Sequence, residues 1–138
     1  MKKVLFLSMA IILLASVSWA GDNPPSRVVV MSGSTAISAG ADYSGTSTTF
    51  TVGDRQGYFT IQASATGSGT AKIEYYVSVD GTNYAAPQGS SAVITGLTSS
   101  SGIVNAQFFP DFCEKIRIVV TETGGVSTIT PTIYLLYK

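Results

Sequence analysis

Apolar and polar residues alternate with a period of two along several stretches of this chain. In residues 58–66 every second residue is apolar, and the same alternation returns in residues 71–79 and 115–123. A period of two with one apolar face is typical of a strand that is half-buried in an antiparallel sheet. These stretches therefore predict three strands whose apolar faces contribute to a common core.

The strand predicted at residues 71–79 has one apolar and one polar face. The alternation places Val79 on the apolar face with the other odd-numbered residues of the strand. It places Tyr76 on the polar face together with Lys72 and Glu74. Tyr76 is therefore an aromatic side chain that we expect on an outer surface of the sheet.

Asp80-Gly81 follows this strand directly and predicts a tight hairpin, because both residue types tolerate positive φ. A two-residue turn would pair Val79 with Thr82 and Val77 with Tyr84.

The C-terminal part of the chain gives two further indications. Gly124-Gly125 is interpreted as a second hairpin turn. The last strand is predicted at residues 126–137, where Pro131 indicates an edge strand or a bulge because proline cannot donate to a sheet ladder.

Shorter β-rich runs complete the pattern at residues 27–31, 48–52, 92–97 and 103–109. Residues 32–47 are rich in Gly, Ser, Ala and Thr and are interpreted as a loop with a short edge strand. No segment has a convincing helical period. About eight strands at short spacing predict an all-β fold, a single antiparallel β-sandwich or jelly roll.

The N-terminal residues resemble an export signal rather than part of this fold. Lys2 and Lys3 precede an apolar run, and small residues follow at the positions that a signal peptidase reads. We therefore predict a signal peptide at residues 1–20, cleaved after Ala20, an extended arm with the first strand at residues 21–34, and the β-sandwich domain at residues 35–138. The mature chain would have no transmembrane segment and would be secreted, periplasmic or on the cell surface, most simply of a bacterium.

The composition excludes several classes of chemistry. The chain has 8 basic and 8 acidic residues, so it has no basic field for a nucleic-acid partner. It has no histidine, which excludes imidazole general bases and histidine metal sites. It has one cysteine, which excludes an internal disulfide and a zinc cluster. We therefore expect no enzymatic activity and no obligatory cofactor.

Two segments carry a resemblance to known modules. Residues 75–84 read YYVSVDGTNY, and residues 115–120 read KIRIVV. Together they resemble the strand, DGTN-aromatic turn and K/R-Ile-Arg-Ile strand of discoidin-like, galactose-binding-type jelly rolls. Similar layouts occur in β-sandwich modules of phage virion surfaces and of secreted bacterial proteins. The resemblance covers about residues 70–122 and implies a jelly-roll fold with adhesion or carbohydrate binding, although the tryptophan expected after the asparagine is absent.

Aromatic residues around the Asp80-Gly81 turn are the best candidates for ligand binding. An exposed tyrosine can stack on a sugar ring while its hydroxyl stays in water, which makes Tyr76 and Tyr84, with Asn83, candidate glycan-binding residues. The alternative is that these tyrosines only stabilise the sheet through cross-strand pairs. Their exposure would favour the first interpretation, and their burial would count against it.

Carboxylates at turns are candidates for binding calcium, and the single thiol is a candidate crosslink. Asp80, Asp111 and Glu114 could supply oxygen ligands to a calcium ion, although each is also expected as an ordinary turn residue. Cys113 could form an intermolecular disulfide in an oxidising compartment, or it could be a small buried apolar residue.

Three functional hypotheses follow. The first is a secreted, non-enzymatic β-sandwich with a structural or adhesive role, in which the extended arm at residues 23–31 and the last strand support self-association or contact with another surface protein by strand addition. The second is a carbohydrate-binding module, with or without a stabilising calcium ion. The third and weakest is a small outer-membrane β-barrel, since the last strand is aromatic and apolar but several strands are too short to span.

Overall fold

The protein folds into two antiparallel sheets. The structure is a computed structural model that describes residues 26–44, 48–52 and 57–137. Its strands are β1 (Ser26–Ser32), β2 (Asp42–Tyr43), β3 (Thr49–Thr51), β4 (Phe59–Gly67), β5 (Ala71–Ser78), β6 (Ala92–Leu97), β7 (Val104–Phe108), β8 (Lys115–Glu122) and β9 (Ile129–Tyr137). A short 3-10 helix, Ser99–Ser101, lies between β6 and β7.

The strand order confirms the predicted all-β sandwich. One sheet has the order β1-β9-β4-β7, and the other has the order β2-β8-β5-β6, with β3 also paired to β8. Among these strands, the chain stays within one sheet only from β2 to β3 and from β5 to β6, and otherwise crosses to the opposite sheet. If β2 and β3 are counted as one interrupted strand, this is the eight-strand order of a jelly roll.

The crossing connections correct one prediction. Gly124-Gly125 does not close a hairpin, because β8 and β9 belong to different sheets. Instead, this turn carries the chain from one layer of the sandwich to the other. The glycines indicated the turn correctly, but turn chemistry does not reveal which sheet the next strand joins.

The core lies between the two sheets and is built from the alternate residues of each strand. On β8 the even-numbered residues from Ile116 to Glu122 are buried, while their odd-numbered neighbours are partly exposed. The fully buried apolar side chains come from both sheets and include Ile61, Ile73, Ile116, Ile118, Val120, Ile129, Ile133 and Leu135. This inward and outward alternation confirms the period-two prediction for the long strands.

The prediction of a two-residue hairpin at Asp80-Gly81 is wrong. Val77 pairs with Ala85, not with Tyr84, and a longer loop connects them. The apolar face also changes at the end of β5: Ser78 is buried, whereas Val79 is 77% exposed. Val79 therefore begins the loop and does not continue the inner face of the strand.

The prediction that Pro131 marks an edge is also wrong, because β9 is a central strand paired with both β1 and β4. Ile129 exchanges both of its backbone hydrogen bonds with Ile37. Backbone groups alternate sides along a strand, so the nitrogen of Pro131 points to that same side. The pairing of β1 with β9 ends at Ser32, opposite Thr132, so Pro131 lies just beyond it. The missing N–H of the proline therefore removes no hydrogen bond from the pairing of these two strands.

A buried carboxylate ties three loops together at one end of the sandwich. Glu122, at the end of β8, is 1% exposed. Its carboxylate accepts backbone hydrogen bonds from Gly40, Gly124 and Gly125 at 2.8 Å and from Thr70 at 3.2 Å. These donors hold the pKa of Glu122 down at about 2, with the Gly40 N–H contributing most.

The predicted signal peptide, residues 1–20, and the first part of the arm, residues 21–25, lie outside the described residues. The rest of the predicted arm contains β1, which pairs with β9. Within the described part of the chain, no helix is long and apolar enough to cross a membrane. Export and self-association through the arm stay predictions.

Candidate functional site

The outer face of the sheet β2-β8-β5-β6 carries polar and aromatic side chains. Lys72, Glu74 and Tyr76 on β5 are partly exposed, as the alternation predicted, while the residues between them are buried. Tyr76 lies opposite Arg117 on β8. The two segments that carry the resemblance are therefore neighbouring strands, and their outward side chains share one surface.

A shallow, open depression of about 300 Å³ lies on this face. Three residues of it come from β5, β8 and the loop that follows β5: Tyr76, Arg117 and Tyr84. The full lining is Asp42, Ser44, Tyr76, Tyr84, Arg117 and Val119. The fold thus brings both predicted tyrosines to one site, and both are partly exposed there.

Arg117 and Tyr84 contact each other in the wall of the depression. The guanidinium carbon of Arg117 lies 3.8 Å from the centre of the Tyr84 ring. This distance is well within the range of a cation–π contact. The contact therefore helps to hold the two side chains together in the wall.

Arg117 has unused hydrogen-bonding capacity. Among the described residues its side chain has no hydrogen-bond or ion-pair partner, and its Nε atom is buried without one. A charged donor that is withdrawn from water and left without a partner is costly. The accessible edge of this guanidinium is therefore the strongest donor that the depression offers to a ligand.

Asp42, on β2, supplies the opposite charge. It lies opposite Thr121 of β8, and its carboxylate is exposed and makes no hydrogen bond or ion pair with the described residues. Lys72 and Glu74 behave differently, because they pair with each other at 2.9 Å, and the Ser91 hydroxyl also donates to Glu74. The hydrogen bond to Glu74 is the main reason why the pKa of Lys72 is raised.

Asp80 and Asn83 shape the loop that places Tyr84. The Asp80 carboxylate accepts hydrogen bonds from the backbone N–H groups of Thr82 and Asn83, from the Asn83 amide, and from the Ser78 hydroxyl. These donors, the Asn83 N–H first, lower the pKa of Asp80. Both predicted site residues are therefore engaged within the loop, and their contribution to ligand binding stays a prediction.

The other predicted calcium ligands lie in the loop before β8. Asp111 accepts a hydrogen bond from the backbone N–H of Gln88 at 3.2 Å, and Glu114 faces Lys115 at 4.0 Å. In the described ranges no three Asp, Glu, Cys or His residues come together in a way that could hold a metal ion. Calcium binding stays a prediction without a site in this structure.

Cys113 lies in the same loop, and its side chain is directed into the protein. It is a free thiol, 8% exposed, and packs in the core cluster. Burial, followed by the nearby Asp111 carboxylate, raises the pKa of the thiol. This position is that of a small buried apolar residue, and an intermolecular disulfide stays a prediction.

Sequence reasoning missed four residues of the depression: Asp42, Ser44, Arg117 and Val119. The alternation around Ile116 and Ile118 could have placed Arg117 and Val119 on the outer face. No local signal could have placed Asp42, because it lies in the Gly- and Ser-rich stretch and reaches the site only by pairing with β8.

Comparisons with known proteins add no relative to this picture. A scan against protein-family models found no match, and a search of curated proteins found none either.

Proposed function

We propose that this protein is a non-enzymatic, adhesive β-sandwich that acts outside the cytoplasm and binds a saccharide in the depression of the β2-β8-β5-β6 sheet. The observation that carries the proposal is the meeting of Tyr76, Tyr84, Arg117 and Asp42 on one open surface. Neither charged group is satisfied by a described residue, so both are available to a ligand.

The chemistry of the lining fits a sugar better than other small ligands. The C–H faces of a pyranose pack on aromatic rings, and its hydroxyls both donate and accept hydrogen bonds. Tyr76 and Tyr84 offer the aromatic surface, Asp42 accepts, and Arg117 donates. A ligand site typically has a small number of polar groups that converge on a partly apolar surface.

The same lining argues for binding without catalysis. Glycoside hydrolysis commonly uses two carboxylates that flank the scissile bond. In the part of the chain that the structure describes, Asp42 is the one carboxylate that lines this depression, and Glu74 on the same face is held by Lys72 and Ser91. A shallow site buries little of its ligand, so we expect weak binding per copy and firm attachment only when many copies engage together.

The test is a titration of the purified protein with neutral and acidic mono- and oligosaccharides, followed by NMR chemical-shift changes of backbone amides. We expect saturable changes around Tyr76, Tyr84 and Arg117. The double variant Y84A/R117A should abolish them while retaining the far-UV circular dichroism spectrum of the wild type.

The chain offers a matched control on the opposite sheet. There Arg27 lies 5.2 Å from the ring centre of Tyr134, which repeats the tyrosine–arginine pair away from the depression. The variant R27A/Y134A should bind saccharides as the wild type does. Absence of saturable binding to any saccharide, or equal loss in both double variants, would overturn the proposal.

A further inference from the structure

The depression has one negative and one positive described side chain, and the two do not form an ion pair with each other. Among the described residues, Asp42 and Arg117 are the charged ones that line it, and no ion pair within 4 Å joins them. Each therefore needs its own hydrogen-bonding partner from water or from a ligand. A ligand that satisfies both must donate at one point and accept at another.

A sugar ring that carries several hydroxyls meets this requirement. One hydroxyl can donate to the Asp42 carboxylate while another accepts from the Arg117 guanidinium. We infer that the depression selects an uncharged pyranose whose hydroxyls engage both Asp42 and Arg117, in preference to the corresponding sugar acid. This inference rests on the proposed function and names its ligand class.

A sugar acid would be opposed by the groups on this face. Its carboxylate could pair with Arg117 but would leave Asp42 facing a like charge. Lys72 and Glu74 pair with each other at 2.9 Å and nearly cancel, so together they change this repulsion little.

The position of Arg117 also limits how an anion could bind. The guanidinium lies against the Tyr84 ring, and its Nε atom is buried. A carboxylate often uses two parallel N–H donors of arginine, one of which is commonly Nε. In Arg117 the accessible donors are the two terminal Nη groups, and these can bind a single hydroxyl as well as an anion.

The test compares sugars that differ only at C6: glucose with glucuronate, and galactose with galacturonate. Affinities are measured by NMR titration at neutral pH and low salt. We expect the neutral sugar of at least one pair to bind about two- to fivefold tighter, the size expected for one contact between exposed charges. Asp42→Asn should remove most of this difference, because it removes the repelling charge and keeps a polar group.

The control is Asp111→Asn, which removes a charge from a loop outside the depression and should leave the preference unchanged. Equal or tighter binding of the acids, or an unchanged preference in Asp42→Asn, would overturn the inference and leave saccharide binding intact. Absence of binding by all four sugars and by larger neutral oligosaccharides would overturn the proposed function as well.

Discussion

The environment of Glu122 leads to a specific prediction about the stability of the fold at low pH. Its carboxylate accepts four backbone hydrogen bonds from three different loops, and its pKa in the folded protein is about 2. In the unfolded chain the same group titrates near its ordinary value of 4.5. The variant Glu122→Gln keeps the shape of the side chain and removes its charge.

The direction of the pH effect on stability follows from the direction of the pKa shift of Glu122. Because the pKa is lowered in the folded state, the ionised carboxylate stabilises the fold above about pH 4.5, and this contribution is lost as the pH falls toward 2. Each pKa unit corresponds to a tenfold change, so the folded state binds this proton roughly a hundredfold less tightly than the unfolded chain. The unfolding constant of the wild type should rise by a similar factor over this window.

The assay is urea unfolding followed by far-UV circular dichroism at a series of pH values between about 7 and about 2. We expect Glu122→Gln to be much less stable than the wild type at neutral pH, and the two stability curves to converge in acid. The control is Glu114→Gln, at an exposed carboxylate whose nearest charge, Lys115, is 4.0 Å away. Parallel curves for wild type and Glu122→Gln, separated equally at all pH values, would refute the reasoning.

Three further predictions concern the core and the loop before β8. Ile73 is fully buried, so Ile73→Ala should lower the free energy of unfolding by about 2–5 kcal/mol in urea titrations; a negligible loss would contradict the core described above. The Tyr75 hydroxyl donates to the Phe109 carbonyl at 3.1 Å, so Tyr75→Phe should cost about 0.5–1.5 kcal/mol in thermal unfolding, and a stabilised variant would contradict that hydrogen bond. Burial raises the pKa of the Cys113 thiol, so a thiol reagent should react slowly with the native protein and fast in denaturant; equally fast reaction in both would show that the thiol is accessible.

The long strands could be predicted closely because their signal is local. The predicted ranges 58–66, 71–79 and 115–123 correspond to Phe59–Gly67, Ala71–Ser78 and Lys115–Glu122. Side chains alternate across a strand whatever its partner is, so the pattern of burial survives in the sequence. The identity of the partner strand has no such local signal, so Gly124-Gly125 suggests a hairpin turn although β8 and β9 belong to different sheets.

The candidate site was predictable in part. Tyr76 could be placed on the outer face by alternation. Tyr84 could not, because the predicted pair with Val77 would have put it on the inner face, whereas Val77 pairs with Ala85. Arg117 was visible within the resemblance but had no assigned role. Asp42 could not be found, because two residues of strand in a Gly- and Ser-rich stretch carry no periodicity, and the residue joins the site through a partner strand far along the chain.

The central position of β9 has a consequence for the order of events during synthesis. Along the chain β9 follows all other described strands, yet in its sheet it is the strand that joins β1 to β4. Until it has been made, β1 has no neighbour to pair with in that sheet, and β4 can pair there only with β7. The four-stranded layer therefore closes only after β9 has been made, and the strands that precede it cannot complete that sheet among themselves.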